Sequence, residues 1–260
     1  RNAADVTRVP GGSSGGAAVS VQAGTCLLAM GSSTGGSVRQ PASFCGIYGF
    51  KPTYGRISRH GLIAYGSSFD QIGYLASNPD DIALALELSA GADRYDATAP
   101  NKALPAYSEQ PVDSKPQSIA YFEDLMESEA LAPEIRLAMK KTVQGFRAAG
   151  HAMVPVKFSY FDYVVPAYYV LTTAEASPNL SRFDGMRYGH RSKDAHSLEE
   201  TYTKSRTEGF GTEVQRRILL GTFVLSSGYY DAYYGKAQKV RRLIRDQLQG
   251  ILDAHDFILM

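Results

Sequence analysis

Two stretches dense in glycine and serine, "GGSSGG" at 11–16 and "GSSTGGS" at 31–37, constrain this chain most. Glycine runs permit positive φ and close backbone approach, and they give up the side chains a core needs. They mark turns where backbone groups meet something, so the apolar segments around them must build the core. "LLAM" (27–30) and "IYGF" (47–50) predict buried strands on either side of the second cluster. "SSGGAAVSVQAG" predicts a helix opened by a serine N-cap. "SNPDDIALALELSAG" predicts another: Pro79 and two acids open it, Ile82, Leu86 and Ser89 share a face, and Gly91 closes it.

The stretch from Asn78 to Pro116 is otherwise rich in Asp, Ala, Pro and Ser and predicts a surface connection. "SIAYF" then predicts a strand, "APEIRLAMKKTVQGFRAAG" an amphipathic helix with Ile135, Met139, Val143 and Phe146 on one stripe, and "HAMVPVKF" a second strand. This order points to an α/β sheet with helical cover. After Tyr163 the pattern is almost wholly helical up to Ala254. There Val240, Ile244, Leu248 and Ile251 form a stripe, and Arg241, Arg242 and Arg245 lie on the solvated side.

Charge narrows the function classes. Lys and Arg total 27 against 26 Asp and Glu, a formal charge of +1, which gives no case for a nucleic-acid surface over the whole chain. Cys26 and Cys45 lack C-x-x-C spacing and read as buried thiols of a reduced compartment. No apolar run reaches the ~18 residues of a membrane span, so a cytoplasmic enzyme or enzyme component is expected. The chain opens without Met on a loop-like "RNAADVTRVPGG" and stops in the strand-like "DFILM"; an internal piece of a larger protein is expected.

The glycine clusters admit several chemistries. A phosphate loop needs G-x-x-x-x-G-K-[ST], and neither cluster has the lysine. The spacing also fails a dinucleotide-binding turn. "GSSTG" (31–35) matches the nucleophile elbow G-x-S-x-G, with Ser33 as nucleophile and a histidine due downstream at His151, His190, His196 or His255. "GGSSG" (11–15) matches it too. A second arrangement uses both clusters: Ser13 and Ser37 lie 24 residues apart (37 minus 13), each among glycines. Successive N–H groups from Thr34 to Ser37 would then face an oxyanion, and a neutral lysine would act through a second hydroxyl.

"RVPGGSSGGAA" followed by "GSSTGGSVRQPASFCGIYGFKPTYGRIS" resembles the signature of the amidase signature family, hydrolases with a Ser–cis-Ser–Lys triad. "SSFDQIG", "EASPNLSRFDGMRYG", "AHSLEETYTKSRTEGFG" and "RRILLGTFVLSSGYYDAYYGKAQKVR" resemble the branch of that family that serves as glutaminase (A) subunits of tRNA-dependent amidotransferases. The resemblance runs over essentially the whole chain. It implies one domain over 1–260, an α/β fold with a mixed central sheet covered by helices, incomplete at both ends.

The same resemblance implies roles for residues. Ser37 is the nucleophile, and Ser13, preceded by a cis peptide bond, is the bridging serine. The N–H groups of Thr34, Gly35 and Gly36 form the oxyanion hole. Ser33 stands where family members often carry Asp and has no chemical role. Arg39, through an ion pair, and Asp70 are expected to brace the site, and Lys51 to be structural. The catalytic lysine would lie upstream, and only twelve residues precede Ser13, so this chain alone is expected to be inactive. Arg217 would hold the α-carboxylate of glutamine, with Tyr168 lining the pocket. No metal or cofactor is expected in this chain. A partner B subunit would use ATP and Mg²⁺ to activate Glu-tRNA(Gln), a small C subunit would link the two, and ammonia would pass between them. A stand-alone amidase of the same family is the alternative.

Overall fold

The computed structural model describes residues 1–110 and 114–260. The chain forms two compact units, Arg1–Pro111 with Thr172–Leu225 and Val112–Leu171 with Ser226–Met260.

In the first unit, α1 (Gly15–Gln22), β1 (Leu28–Ser33), α2 (Arg39–Cys45), β2 (Tyr48–Phe50), β3 (Gln71–Ala76) and α3 (Pro79–Ser89) follow in order. The three strands make an antiparallel sheet in the order β1-β3-β2. The β1 register runs from Leu28↔Ala76 to Ser33↔Gln71. The strand expected at "LLAM" thus continues into the second glycine cluster and delivers Ser33 at its end.

Alternation along β3 gives this sheet two cores. Leu75, fully buried, points into one cluster with Ala18, Val21, Val38, Ala42 and Cys45. Tyr74 and Ala76 point into the other, with Ile57, Ile82 and Leu86. Burying a leucine of this kind stabilises by roughly 2 kcal/mol. At Gly73 there is no room for a side chain: a Cβ would lie 2.3 Å from the Phe50 carbonyl oxygen and 3.3 Å from Val38 Cγ1. The α3 signals read from sequence hold, with Asn78 as N-cap accepting the Asp81 N–H at 2.8 Å and Pro79 in the first turn.

After α3 the expected surface connection runs on, and its residues 111–113 lie outside the described residues. The second unit opens with β4 (Ser118–Phe122), the short α4 (Glu123–Met126), α5 (Pro133–Ala148) and β5 (Ala152–Val156). The long α6 (Phe161–Ser181) begins there, and from Thr172 its residues belong to the first unit, as do α7 (Leu198–Gly209) and α8 (Thr212–Leu225). The second unit resumes with α9 (Lys236–Ala254) and β6 (Phe257–Leu259). Its strands are parallel, in the order β5-β4-β6.

Strands of both senses are present, as expected, but the described residues place them in two three-stranded sheets. Of the α5 stripe, Val143 is buried and Met139 packs beside it, whereas Ile135 and Phe146 stay exposed. The helical expectation after Tyr163 holds apart from short breaks and one long one at 182–197, where Asp184 Oδ1 accepts the N–H groups of Met186 and Arg187 and turns the chain.

Candidate active site

The second glycine cluster is the turn from β1 into α2. Ser33, at the end of β1, is 2% exposed, and its Oγ accepts the Gly36 N–H at 3.0 Å. The Gly36 carbonyl accepts the Gln40 N–H at 2.8 Å, which ties the turn to the first turn of α2. The Ser37 carbonyl accepts the Ser14 N–H at 3.1 Å. Three successive peptides around Ser37 are therefore pinned by β1, α2 and the start of α1. Ser37 is half-buried. Ser33 does not sit at an open elbow: its side chain is enclosed and its oxygen holds a backbone amide.

The first glycine cluster meets this turn from the other side. Gly11 has φ +75°, and a Cβ there would lie 3.0 Å from both Gln40 Oε1 and Pro41 Cα. Glycine alone fits that approach. The Gly12 N–H donates to Gln40 Oε1 at 2.9 Å, and the Gly12–Ser13 peptide is cis. Ser14, not Ser13, is the N-cap residue of α1. Its hydroxyl donates to the Ser32 carbonyl at 3.2 Å and accepts no helix N–H, so the expected side-chain cap is absent. Ser13 is exposed and free of any capping role. The structure thus brings the loops of Ser13 and Ser37 together through Ser14 and Gln40.

Thr34, Gly35 and Gly36 all lie in the pinned turn. The Gly36 N–H is already engaged by Ser33 Oγ, so it joins an oxyanion hole only by sharing that bond.

A second loop lies in the same unit. Asp70 is 6% exposed, and its Oδ2 accepts the N–H groups of Tyr65 at 2.9 Å and Gly66 at 3.1 Å. Burial pushes its carboxyl above the usual carboxylate range, against the pull of those two N–H groups. Asp70 thus braces its own loop, where the sequence expectation is a brace for the catalytic site. On α6, Glu175 accepts the Ser68 N–H at 2.8 Å, and Asn179 Nδ2 donates to the Tyr65 carbonyl at 3.1 Å. On α8, Arg217 Nη1 donates to Tyr65 Oη at 2.8 Å and Nε to Glu213 at 2.9 Å. The Arg217 side chain is 28% exposed and that of its neighbour Arg216 is 71% exposed. The two arginines that the sequence leaves equivalent are therefore different: Arg217 is held inward and Arg216 faces solvent.

Tyr168 belongs to the second unit, half-buried on α6 with its ring edge-on to Tyr169 at 5.6 Å. Lys51 Nζ donates to Gln71 Oε1 at 2.8 Å and to the Pro52 carbonyl at 2.9 Å. Burial, with the nearby Arg39 charge adding to it, holds its ammonium below the usual lysine range. Arg39 makes no ion pair among the described residues, contrary to expectation. It is exposed, and its charge lies near that of Lys51. Sequence reasoning missed Ser14, Gln40, Tyr65 and Glu213. Ser14 adjoins Ser13 in the cluster, whereas nothing in the sequence marks Gln40.

No group of His, Cys, Asp and Glu suited to a metal ion occurs among the described residues, and no helix among them is long and apolar enough to cross a membrane.

The amidase family profile matches residues 1–260. Curated relatives include the A subunit of glutamyl-tRNA(Gln) amidotransferase from Fusobacterium nucleatum, 53% identical over 98% of this chain and 52% of its own length. The protein of the same name from Chlorobium luteolum is 54% identical over 99% of this chain and 53% of its own length. The chain spans about half the length of the curated relatives it matches. Among solved structures, the A subunit of glutamyl-tRNA(Gln) amidotransferase from Thermotoga maritima superposes with a TM-score of 0.78 at 40% identity, over 100% of this chain and 52% of that one. The peptide amidase of Stenotrophomonas maltophilia gives a TM-score of 0.70 at 28% identity, over 92% and 49%. The α/β fold anticipated from the strand–helix–strand order and the family resemblance is the fold of these enzymes, and the chain belongs to the amidase signature family.

Proposed function

We propose that this chain is the glutaminase part of a glutamyl-tRNA(Gln) amidotransferase, from its A subunit. It would hydrolyse glutamine to supply ammonia for converting Glu-tRNA(Gln) to Gln-tRNA(Gln), within a glutamine-hydrolysing carbon–nitrogen ligase. The observation that carries this reading is the joining of the two serine loops, with the Ser14 N–H on the Ser37 carbonyl at 3.1 Å. The names of the relatives, at 53–54% identity, support the choice of this branch over a stand-alone amidase.

In the proposed reaction Ser37 Oγ attacks the side-chain amide carbon of glutamine. The Oγ–C bond forms, and the carbonyl oxygen becomes an oxyanion facing the N–H groups of Thr34, Gly35 and Gly36. Gly36 takes part by sharing its N–H between Ser33 Oγ and the oxyanion. The Ser37 proton passes to Ser13 and through it to a lysine supplied from outside this chain, and a proton returns to the nitrogen as the C–N bond breaks. Ammonia leaves a γ-glutamyl ester, which water hydrolyses to glutamate while Ser37 regains its proton. Arg217 holds the substrate α-carboxylate, since a guanidinium binds a carboxylate with two parallel hydrogen bonds.

The proposed division of labour gives ATP, Mg²⁺ and Glu-tRNA(Gln) to a partner B subunit, with a C subunit joining the two, in the cytoplasm. The test is trapping of the acyl-enzyme. The full chain with its B and C subunits, quenched during turnover of labelled glutamine, should carry a γ-glutamyl group on the peptide containing Ser37. A label on any other residue, or none during active turnover, would sink the assignment.

A further inference from the structure

We propose that Gln40 is a positioning residue for the reaction, holding the Ser13 loop in register with the Ser37 loop. This rests on the glutaminase reading. Gln40 reaches both loops. Its backbone N–H donates to the Gly36 carbonyl at 2.8 Å, fixing the peptide that enters Ser37. Its side-chain Oε1 accepts the Gly12 N–H at 2.9 Å, fixing the residue that precedes Ser13. The approach is tight, because a Cβ on Gly11 would meet Gln40 Oε1 and Pro41 Cα at 3.0 Å and the Phe44 ring at 3.2 Å. The first loop therefore rests on the first turn of α2, and Gln40 is the polar side chain at that seat.

A second link between the loops runs from Ser14, beyond Ser13: its N–H donates to the Ser37 carbonyl, and its hydroxyl to the Ser32 carbonyl beside it. Between them the two links hold Ser13 on both sides, at Gly12 and at Ser14. A hydroxyl that relays a proton must stay within hydrogen-bond reach of the nucleophile, a demand on geometry that binding of glutamine does not make. Gln40 should then act on turnover and leave substrate affinity alone.

The test compares Gln40→Leu, which removes the acceptor, with Gln40→Glu, which keeps a carboxylate oxygen at the same reach. Both are made in the full chain with its partner subunits. Gln40→Leu should lower kcat for glutamine about 10- to 100-fold, the scale of a catalytic group displaced by about 1 Å. KM should stay within about twofold, because the loss falls on the transition state. Gln40→Glu should recover kcat to within about threefold of the parent, since the N–H keeps its acceptor. Amide exchange at Gly12 should quicken in Gln40→Leu alone. An unchanged kcat in Gln40→Leu, or a Gln40→Glu as impaired as Gln40→Leu, would overturn the proposal. If the parent complex itself releases no glutamate, the glutaminase reading falls. The Gly12 amide then decides for Gln40, and unchanged exchange in Gln40→Leu overturns the link.

Discussion

The backbone N–H of Ser14 donates to the carbonyl of Ser37 at 3.1 Å, so the residue after one candidate catalytic serine grips the other. Such a bond contributes about 1 kcal/mol net to stability. Its larger consequence is geometric. Ser13 and Ser37 come from loops that precede and follow β1 in the chain, and this bond lets neither drift without the other.

In the proposed reaction Arg217 serves substrate binding and not chemistry. Its inward side chain, bonded to Tyr65 and Glu213, is expected to hold the α-carboxylate, while Arg216 beside it faces solvent. Arg217→Met should cost about 2 kcal/mol of charged hydrogen bonding, roughly 30-fold in kcat/KM for glutamine. Arg216→Met should change little. Steady-state kinetics with glutamine and with a primary amide lacking the α-carboxylate check this. An equal loss on both substrates in Arg217→Met would show that the arginine supports the fold and not the carboxylate.

Asp96 predicts an acid-side loss of stability. It is 8% exposed and accepts the Arg59 N–H at 2.8 Å, the Thr98 N–H at 2.9 Å and the Thr98 hydroxyl at 2.6 Å. Burial alone would raise its pKa, but these bonds and the Arg59 charge outweigh it and hold the carboxyl at about 2, against 3.8 unperturbed. A depressed acid pKa stabilises the fold above the unfolded value, and that stability is lost as pH falls through the folded one. The contribution is about 2 kcal/mol at neutral pH. Urea melts of the parent and Asp96→Asn should differ by that order at pH 7 and converge between about pH 4 and pH 2. A gap independent of pH would contradict the account.

Gly73→Ala tests the packing beneath the site. The new Cβ would lie 2.3 Å from the Phe50 carbonyl oxygen, a backbone atom that moves only if β2 and β3 part. Overpacking of this kind costs about 3 kcal/mol or more. Thermal melts should show a drop of several degrees, and a variant as stable as the parent would mean that the sheet yields easily.

Much of this was legible beforehand, for physical reasons that differ by element. The α3 signals were strong and local, with Asn, Pro and two acids in a row, and the helix starts where they say. The apolar run at 118–122 gave its strand directly, whereas the one at 27–30 gave a strand that starts at Leu28, runs on to Ser33 and is less buried than expected. The glycine clusters admitted both Ser33 and the Ser13–Ser37 pair, and the family resemblance chose the pair. The Ser33 brace was not legible, since a buried and an exposed serine read alike in sequence. Gln40 was hidden for a similar reason: its partner, the Gly12 N–H, lies 28 residues away and carries no sequence signal. The expected Arg39 ion pair failed because the sequence cannot tell which carboxylates lie within reach.

The most direct test of the central claim is glutamate release by the full chain in its complex, comparing Ser37→Ala with Ser33→Ala. Ser37→Ala should lower kcat by about 10⁴-fold or more, the scale of removing a nucleophile. Ser33→Ala frees one N–H and removes no reacting group, so it should retain activity to within about 30-fold. The reverse ranking, with Ser33→Ala inert and Ser37→Ala active, would contradict the account and make the buried Ser33 the nucleophile.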